Sequence, residues 1–372
     1  MINKKIISFT FFIITFSSIQ SQTTTIDSIF YDGLWRNYRL FLPNGFNTIS
    51  QHPLVFNLHG YGSNAFEQEI YSGFDAVADT ANVIVCYPNG LNNSWNAFNR
   101  SPDDIGFIDT LITVLQNKYN INLNRLYSTG MSNGGFMSNY LACELSHRFA
   151  AIAPVAGTNS LFVQTNCSPS RHVPVLYIHG TADATVPYSG STFFVSASEF
   201  MNLWSNINGC STNIDTTLLS DISISDQCRA ERITWHDCDS NKQVIHYRII
   251  DGGHTWPGSP FIIGITNQDF NASAVIWNFF NQFSLTTDID NIPVQTNIVI
   301  SQNPFTSFID ISLPTSSKST IFIYSSDGRL VQSSEHAESK IHLLEDQLSA
   351  GFYFLKIYQN NYSKTIRILK VN

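Results

Sequence analysis

Along the first three quarters of the chain, short apolar runs alternate with longer stretches whose apolar residues recur every three or four positions. Ile26–Tyr31 and Trp35–Leu42 read as strands, and Asp32-Gly33 between them is a hairpin dipeptide. Pro53–Leu58 is almost continuously apolar, as a strand covered on both faces would be. Phe66, Ile70, Phe74, Val77 and Ala78 then mark a helical stretch, and Asn82–Tyr87 another buried strand. Ser101-Pro102-Asp103-Asp104 predicts a helix start, with its acidic residues at the positive end of the helix dipole. Phe107, Leu111, Leu115 and Tyr119 supply that helix's apolar stripe. Asn124–Thr129 reads as a strand, and Phe136, Met137, Tyr140 and Leu141 as the buried side of a helix. Ala150–Val155, Val173–Ile178 and Gln243–Ile250 continue the strands, and Phe194–Ile207 and Phe270–Phe283 the helices. The segment 211–237 reads as a long polar loop. Strands alternating with helices predict an α/β fold, a mostly parallel sheet covered by helices on both faces.

Beyond Phe283 the texture changes. Thr286–Thr296 is polar with one proline and reads as a linker. From Ile298 the pattern has period two: Phe308–Leu313, Ile321–Tyr324, Ile341–Leu343, Phe352–Ile357 and Tyr362–Val371, with Asp327-Gly328 as a turn. This predicts a small all-β sandwich of about 75 residues, too small for an active site of its own. Its aromatic residues fall largely inside strand patterns.

Composition narrows the class. The chain has 372 residues, enough for a catalytic domain plus a small module, and charged residues make up only 13% of it. With a net charge of −8 and no basic run past the extreme N-terminus, nucleic acid is a poor partner. Lys4 and Lys5 followed by the apolar Ile6–Phe16 and small or polar Ser17–Gln22 read as a signal peptide over residues 1–21. The apolar stretch is about half the roughly 20 residues that a membrane span needs, so no span is expected in the mature protein. Domain boundaries follow: signal peptide 1–21, catalytic domain 22–285, linker 286–297 and β-sandwich 298–372. The six cysteines lie past the signal, where disulfides persist. Counting alone allows 15 pairings.

The chemistry centres on Gly130-Met131-Ser132-Asn133-Gly134-Gly135, between a strand and a helix. In that context Gly-x-Ser-x-Gly is a tight turn that pushes the serine hydroxyl into the open. A serine is a weak nucleophile, so it needs a base and a residue to orient that base. In such sheets the chain order is nucleophile, acid, histidine. Asp183, just past the strand Val173–Ile178, is the acid. Asp215, Asp221, Asp226, Asp237 and Asp239 sit in the polar loop and are weaker candidates. Of the later histidines, His246 lies mid-strand, His236 lies in the polar loop, and His254 lies in the Gly-rich turn Gly252–Gly258 at a strand end. His254 is the base. The oxyanion donors are the backbone N–H groups of Asn133 and of Tyr61, in His59-Gly60-Tyr61-Gly62. His59 itself is structural. Tyr61, Trp95 and Trp256 are candidate pocket residues. Trp256, two residues after His254, serves either as a wall for an acyl group or as a brace for the histidine loop. No metal-ligand spacing or Gly-rich phosphate loop is present, so neither metal nor cofactor is expected.

Six segments in order resemble a secreted esterase family. It groups polyhydroxybutyrate depolymerases with feruloyl and acetylxylan esterases. The segments are His59-Gly60-Tyr61-Gly62, Asp104-Ile105-Gly106-Phe107-Ile108, Gly130–Gly135, Ala151–Gly157, His179-Gly180-Thr181-Ala182-Asp183 and Gly252–Gly258. The resemblance implies an α/β-hydrolase fold, the triad Ser132, Asp183 and His254, and disulfides Cys143–Cys167 and Cys210–Cys238. Cys86 is expected as a buried free thiol, and Cys228 lies outside the pattern and competes for Cys238. The C-terminal part resembles the sorting domain of type IX secretion cargo through Asn303-Pro304-Phe305, Ser326-Asp327-Gly328-Arg329, Ser349–Tyr353 and the strand Lys364–Val371. A polymer-binding module is the rival for that domain. The implied protein is extracellular or at the cell surface, and it hydrolyses feruloyl or acetyl esters on a plant polysaccharide. A polyester depolymerase and a catalytically inactive binding protein are the alternatives.

Overall fold

A computed structural model describes residues 23–98, 101–239, 242–285, 299–313, 316, 318–325, 329–344, 348–359 and 362–371. The expected signal peptide, the whole of the expected linker and the Asp327-Gly328 turn lie outside these residues. Contacts divide the chain into two compact units, Met1–Thr286 and Thr287–Asn372.

The first unit is built on one ten-stranded sheet. β1 (Thr23–Tyr31) and β2 (Leu34–Leu42) form a hairpin, and Asp32 and Gly33 both take positive φ at its tip. Inside it run β4 (Ile84–Pro88), β3 (His52–Leu58), β5 (Ile121–Met131), β6 (Ala151–Val155), β7 (Val175–Gly180) and β10 (Val244–Ile250), parallel to one another. All residues of β3, β4, β6 and β7 are buried, which is why their sequences read as nearly continuous apolar runs. Two hydrophobic clusters fill the two sides of the sheet. The carboxyl ends of β3, β5, β7 and β10 all open on one edge, where ligands bind in sheets of this kind.

The polar loop expected at 211–237 is instead an antiparallel hairpin of β8 (Ile214–Leu218) and β9 (Arg229–Trp235), which extends the sheet past β10. Every residue of β8 is exposed, so no apolar alternation could announce it. The helical stretch after β3 is two helices, α1 (Ala65–Ser72) and α2 (Phe74–Ala81), broken at Gly73 with φ 58°. Phe66 and Ile70 face solvent, while Gln68 and Glu69 face inward. There Gln68 donates to Asn57, and Glu69 pairs with Arg39 and accepts from Thr24. Polar partners, rather than the apolar stripe, therefore seat α1. At α3 (Asp104–Lys118), Asp103 caps the helix by accepting from Gly106 N–H. Asp104 is buried against Arg36 at 2.6 Å. α4 (Asn133–Glu144) follows β5; α5 (Leu161–Asn166), α6 (Ala197–Ile207) and α7 (Ala272–Phe280) complete the helices.

Disulfides join Cys143 to Cys167 and Cys210 to Cys238. The first ties α4 to the end of α5, and the second closes the base of the β8–β9 hairpin. Cys86 and Cys228 are free and buried. No helix among the described residues is long and apolar enough to cross a membrane.

The second unit has a three-stranded sheet, β11 (Val299–Ser301), β12 (Phe308–Ser312) and β15 (Lys340–Leu344). Its four-stranded sheet contains β14 (Leu330–His336), β13 (Ser319–Ser325), β16 (Gly351–Gln359) and β17 (Tyr362–Lys370). Ile309, Ile311, Ile321, Ile323, Leu355, Ile357 and Ile368 fill its core. Phe352, Phe354 and Tyr358 fall inside strand β16, as the pattern predicts, and alternate onto its exposed face. Arg367 lies over Phe352 and Lys356 over Tyr358.

Candidate active site

β5 ends at Met131, and Ser132 then takes φ 54° and ψ −118°, a region that non-glycine residues rarely occupy. The surroundings hold it there. Ser132 N–H donates to Val155 O at 2.8 Å, and Ser132 O accepts from Phe136 N–H at 2.9 Å. The turn is tight enough that a Cβ on Gly134 would lie 2.1 Å from Leu58 O. A Cβ on Gly60 would lie 3.5 Å from Ser132 Cβ, so the 59–62 loop passes directly beside the serine.

Asp183 sits in the turn after β7. Its Oδ1 accepts the N–H groups of Thr185 and Val186, each at 2.8 Å. Its Oδ2 accepts from His254 Nδ1 at 2.6 Å and His179 Nε2 at 3.0 Å. Burial alone would push this carboxyl up, but the hydrogen bonds from His179 and His254 outweigh it and hold Asp183 well below the usual carboxylate range. His254 Nδ1 faces a carboxylate oxygen and so carries the proton, which leaves the Nε2 lone pair free to act as a base. Ala182 N–H donates to Gly252 O at 2.9 Å and ties the aspartate turn to the histidine turn. No hydrogen bond joins Ser132 Oγ to His254 among the described residues, a contact that free enzymes commonly leave long.

Ser132 opens into a cleft of about 890 Å3 lined by Tyr61, Leu91, Trp95, Phe98, Phe136 and Phe194, among others. Phe136 packs against Phe98 and Phe194, with ring centroids 5.6 and 5.2 Å away, making one wall aromatic. Asn133 is the first residue of α4, so its N–H has no intrahelical acceptor. In the neighbouring loop, Gly62 and Ser63 donate to Asn93 O and Gly60 O, while Tyr61 N–H has no acceptor among the described residues. The Asn133 side chain has a separate task. Its Oδ1 accepts from Trp95 N–H at 2.6 Å, and its Nδ2 donates to Trp95 O at 3.0 Å. Trp95 in turn donates through Nε1 to His59 O, and is buried apart from the face it shows the cleft. It acts as a strut between the turn after Ser132 and the 59–62 loop. His59 Nε2 accepts from Gly90 N–H at 3.0 Å, and burial lowers the pKa of this ring, which suits a neutral structural histidine.

Trp256 departs from the pocket expectation. It is fully buried and is not among the cleft's lining residues. Its Nε1 donates to Ser273 on α7 and its backbone N–H to Tyr71. It braces the histidine turn. His236 pairs with Asp215 at 2.8 Å on the β8–β9 hairpin, and buried His246 bonds Tyr188. Neither approaches Asp183. The sequence reading missed His179, which accepts from Tyr177 OH through Nδ1 and donates through Nε2 to Asp183 and Val186 O. The available signal was a histidine ending an apolar strand four residues before the acid. Among the described residues no cluster of His, Cys, Asp and Glu could hold a metal ion.

Residues 93–213 match the phospholipase/carboxylesterase family, and residues 302–371 match the secretion system C-terminal sorting domain. Feruloyl esterase C of Emericella nidulans is 28% identical over 254 residues, covering 66% of this chain and 83% of that protein. The protein is a carboxylic ester hydrolase. It carries a type IX sorting domain, which makes the secretion machinery its partner and the cell exterior or surface its location. The bifunctional acetylxylan esterase/xylanase XynS20E of Neocallimastix patriciarum is 25% identical over 68% of this esterase, which spans 34% of that longer protein. Among solved structures, the acetyl xylan esterase from Aspergillus awamori superposes with TM-score 0.48 and 14% identity, over 62% of this chain and 94% of that one.

Proposed function

We propose that this esterase works through Ser132, His254 and Asp183, and that it removes feruloyl or acetyl groups from an extracellular plant polysaccharide. The observation that carries the proposal is the 2.6 Å bond from His254 Nδ1 to Asp183 Oδ2, on the edge of the sheet where Ser132 opens into the cleft. Ser132 Oγ attacks the ester carbonyl carbon and its proton passes to His254 Nε2. Asp183, ionised throughout, stabilises the imidazolium. The negative charge on the tetrahedral oxygen is met by the N–H groups of Asn133 and Tyr61, and the positive end of α4 adds to them. Collapse expels the sugar hydroxyl with the proton from His254 and leaves an acyl-serine. Water then attacks, gives its proton to His254, and frees the acid and the serine.

The aromatic wall of Phe98, Phe136 and Phe194 supports an aromatic acyl group, and similarity to feruloyl esterase C points the same way. Export supports a substrate too large to import. Purified protein is assayed against methyl ferulate, acetylated xylan and polyhydroxybutyrate film. Release of ferulate or acetate without erosion of the film supports this reading. Erosion of the film alone would make the enzyme a polyester depolymerase.

A further inference from the structure

A second depression of about 270 Å3 adjoins the cleft and shares Leu91 and Asn92 with it. It is lined by Trp35, Arg36, Asn37, Asn64, Asn89, Gly90 and Asn93 as well. Its chemistry differs from that of the cleft. The one charge in its lining is cancelled, because Arg36 is buried and paired with Asp104 at 2.6 Å. What it offers a ligand is a set of amides and one large ring.

The amides are partly committed to the fold, which fixes their positions. Asn89 Oδ1 accepts from Ala65 N–H, Asn89 Nδ2 donates to Asn37 Oδ1, and Asn64 Oδ1 accepts from Glu67 N–H. The remaining groups have no protein partner among the described residues: Nδ2 of Asn37, Nδ2 of Asn64, and the side-chain amides of Asn92 and Asn93. Asn92 and Asn93 both take positive φ, in the short 3-10 turn Leu91–Asn93 that separates the depression from the cleft. Trp35 is 70% exposed, with Phe30 against its ring at 5.5 Å. An indole held in solvent beside uncommitted, uncharged donors and acceptors matches a ligand with apolar C–H faces and a rim of hydroxyls.

We propose that this depression is a subsite for the neutral sugar backbone of the substrate. One sugar ring stacks on Trp35 and its hydroxyls bond Asn37, Asn64, Asn92 and Asn93, while the ester it carries reaches over Leu91 to Ser132. The proposal rests on the polysaccharide reading of the function and adds where the chain lies. It also gives Trp35 a task, since a large exposed aromatic ring on an edge hairpin otherwise invites association.

Two measurements test it. In the first, xylohexaose, which carries no ester, is titrated into wild type and Trp35→Ala by calorimetry. Trp35 is exposed, so its removal leaves the core intact. Binding by wild type that weakens about three- to tenfold in the variant is expected. No binding by wild type, or equal binding by both, overturns the subsite. In the second, kcat/KM on a feruloylated xylo-oligosaccharide is divided by kcat/KM on methyl ferulate. Trp35→Ala should lower this ratio by about the same factor, and an unchanged ratio overturns the subsite. If wild type cleaved neither ester the catalytic reading would fail, and the xylohexaose titration would still decide the subsite.

Discussion

His179 and His254 share one oxygen of Asp183, at 3.0 and 2.6 Å. His254 reaches it from the turn after β10, and His179 from the end of β7, only four residues before the aspartate. His179 is anchored from behind by Tyr177 OH, so a buried line runs Tyr177, His179, Asp183, His254. Its role is positioning, since it touches the carboxylate and not the cleft. His179→Ala removes one donor from a buried charge, a loss of about 1–3 kcal/mol or roughly five- to 150-fold in kcat, with KM little changed. The Asp183 carboxyl then rises toward its ordinary range, so the loss should deepen at the acid end of the kcat/KM profile, where that carboxyl begins to protonate. His179→Gln, whose amide can still donate, should recover part of the loss. A variant that lost activity by the same factor at every pH would leave His179 merely structural.

Trp256 separates a wall from a brace. Being fully buried beneath the histidine turn, it should matter equally to every ester. Trp256→Ala is expected to cost about 3–5 kcal/mol of stability, read as a lower Tm. It should also depress kcat/KM for methyl ferulate and for an acetyl ester by similar factors. A loss confined to ferulate would return the ring to the substrate site.

Buried His246 makes stability fall in acid. Desolvation lowers its pKa to about 3, against a backbone hydrogen bond at Tyr177 that raises it. Unfolded, the ring titrates near 6.5. The folded state therefore binds fewer protons between these values, and the stability that is full above pH 6.5 is lost as pH falls toward 3. The slope is about 1.4 kcal/mol per pH unit for the one proton. His246→Gln removes the titration, so its urea midpoint should fall less between pH 6.5 and 4 than that of wild type. Parallel pH profiles would assign the acid loss elsewhere.

The parts legible in the sequence are those fixed by local chemistry. The buried parallel strands declared themselves by apolar runs, and the glycines around Ser132 and His254 by the close approaches they permit. What stayed hidden was set by partners distant in the chain. The β8–β9 hairpin pairs through its backbone while exposing its side chains, so its strands read as loop. Helix α1 turns Gln68 and Glu69 inward because Asn57, Arg39 and Thr24 await them, against its own apolar stripe. Trp256 lies close to His254 in the chain, and only the packing of α7 decides which way its ring points.

Thiol counting tests the cysteine assignments. In denaturant, two thiols should react before reduction, Cys86 and Cys228, and all six after it. The bridges span sequence separations of 24 and 28 residues. Reduction should remove about 3–4 kcal/mol for each, seen as a lower Tm. Four reactive thiols before reduction would dissolve one bridge.

The central claim is that Ser132 forms an acyl-enzyme. Methyl ferulate is mixed with wild type and with Ser132→Ala, and ferulate release and intact mass are followed together. Wild type should release ferulate and, when quenched during turnover, carry one feruloyl group on the peptide containing Ser132. Ser132→Ala should carry none and turn over several orders of magnitude more slowly. Turnover by Ser132→Ala at the wild-type rate, or an adduct on another residue, would contradict the account.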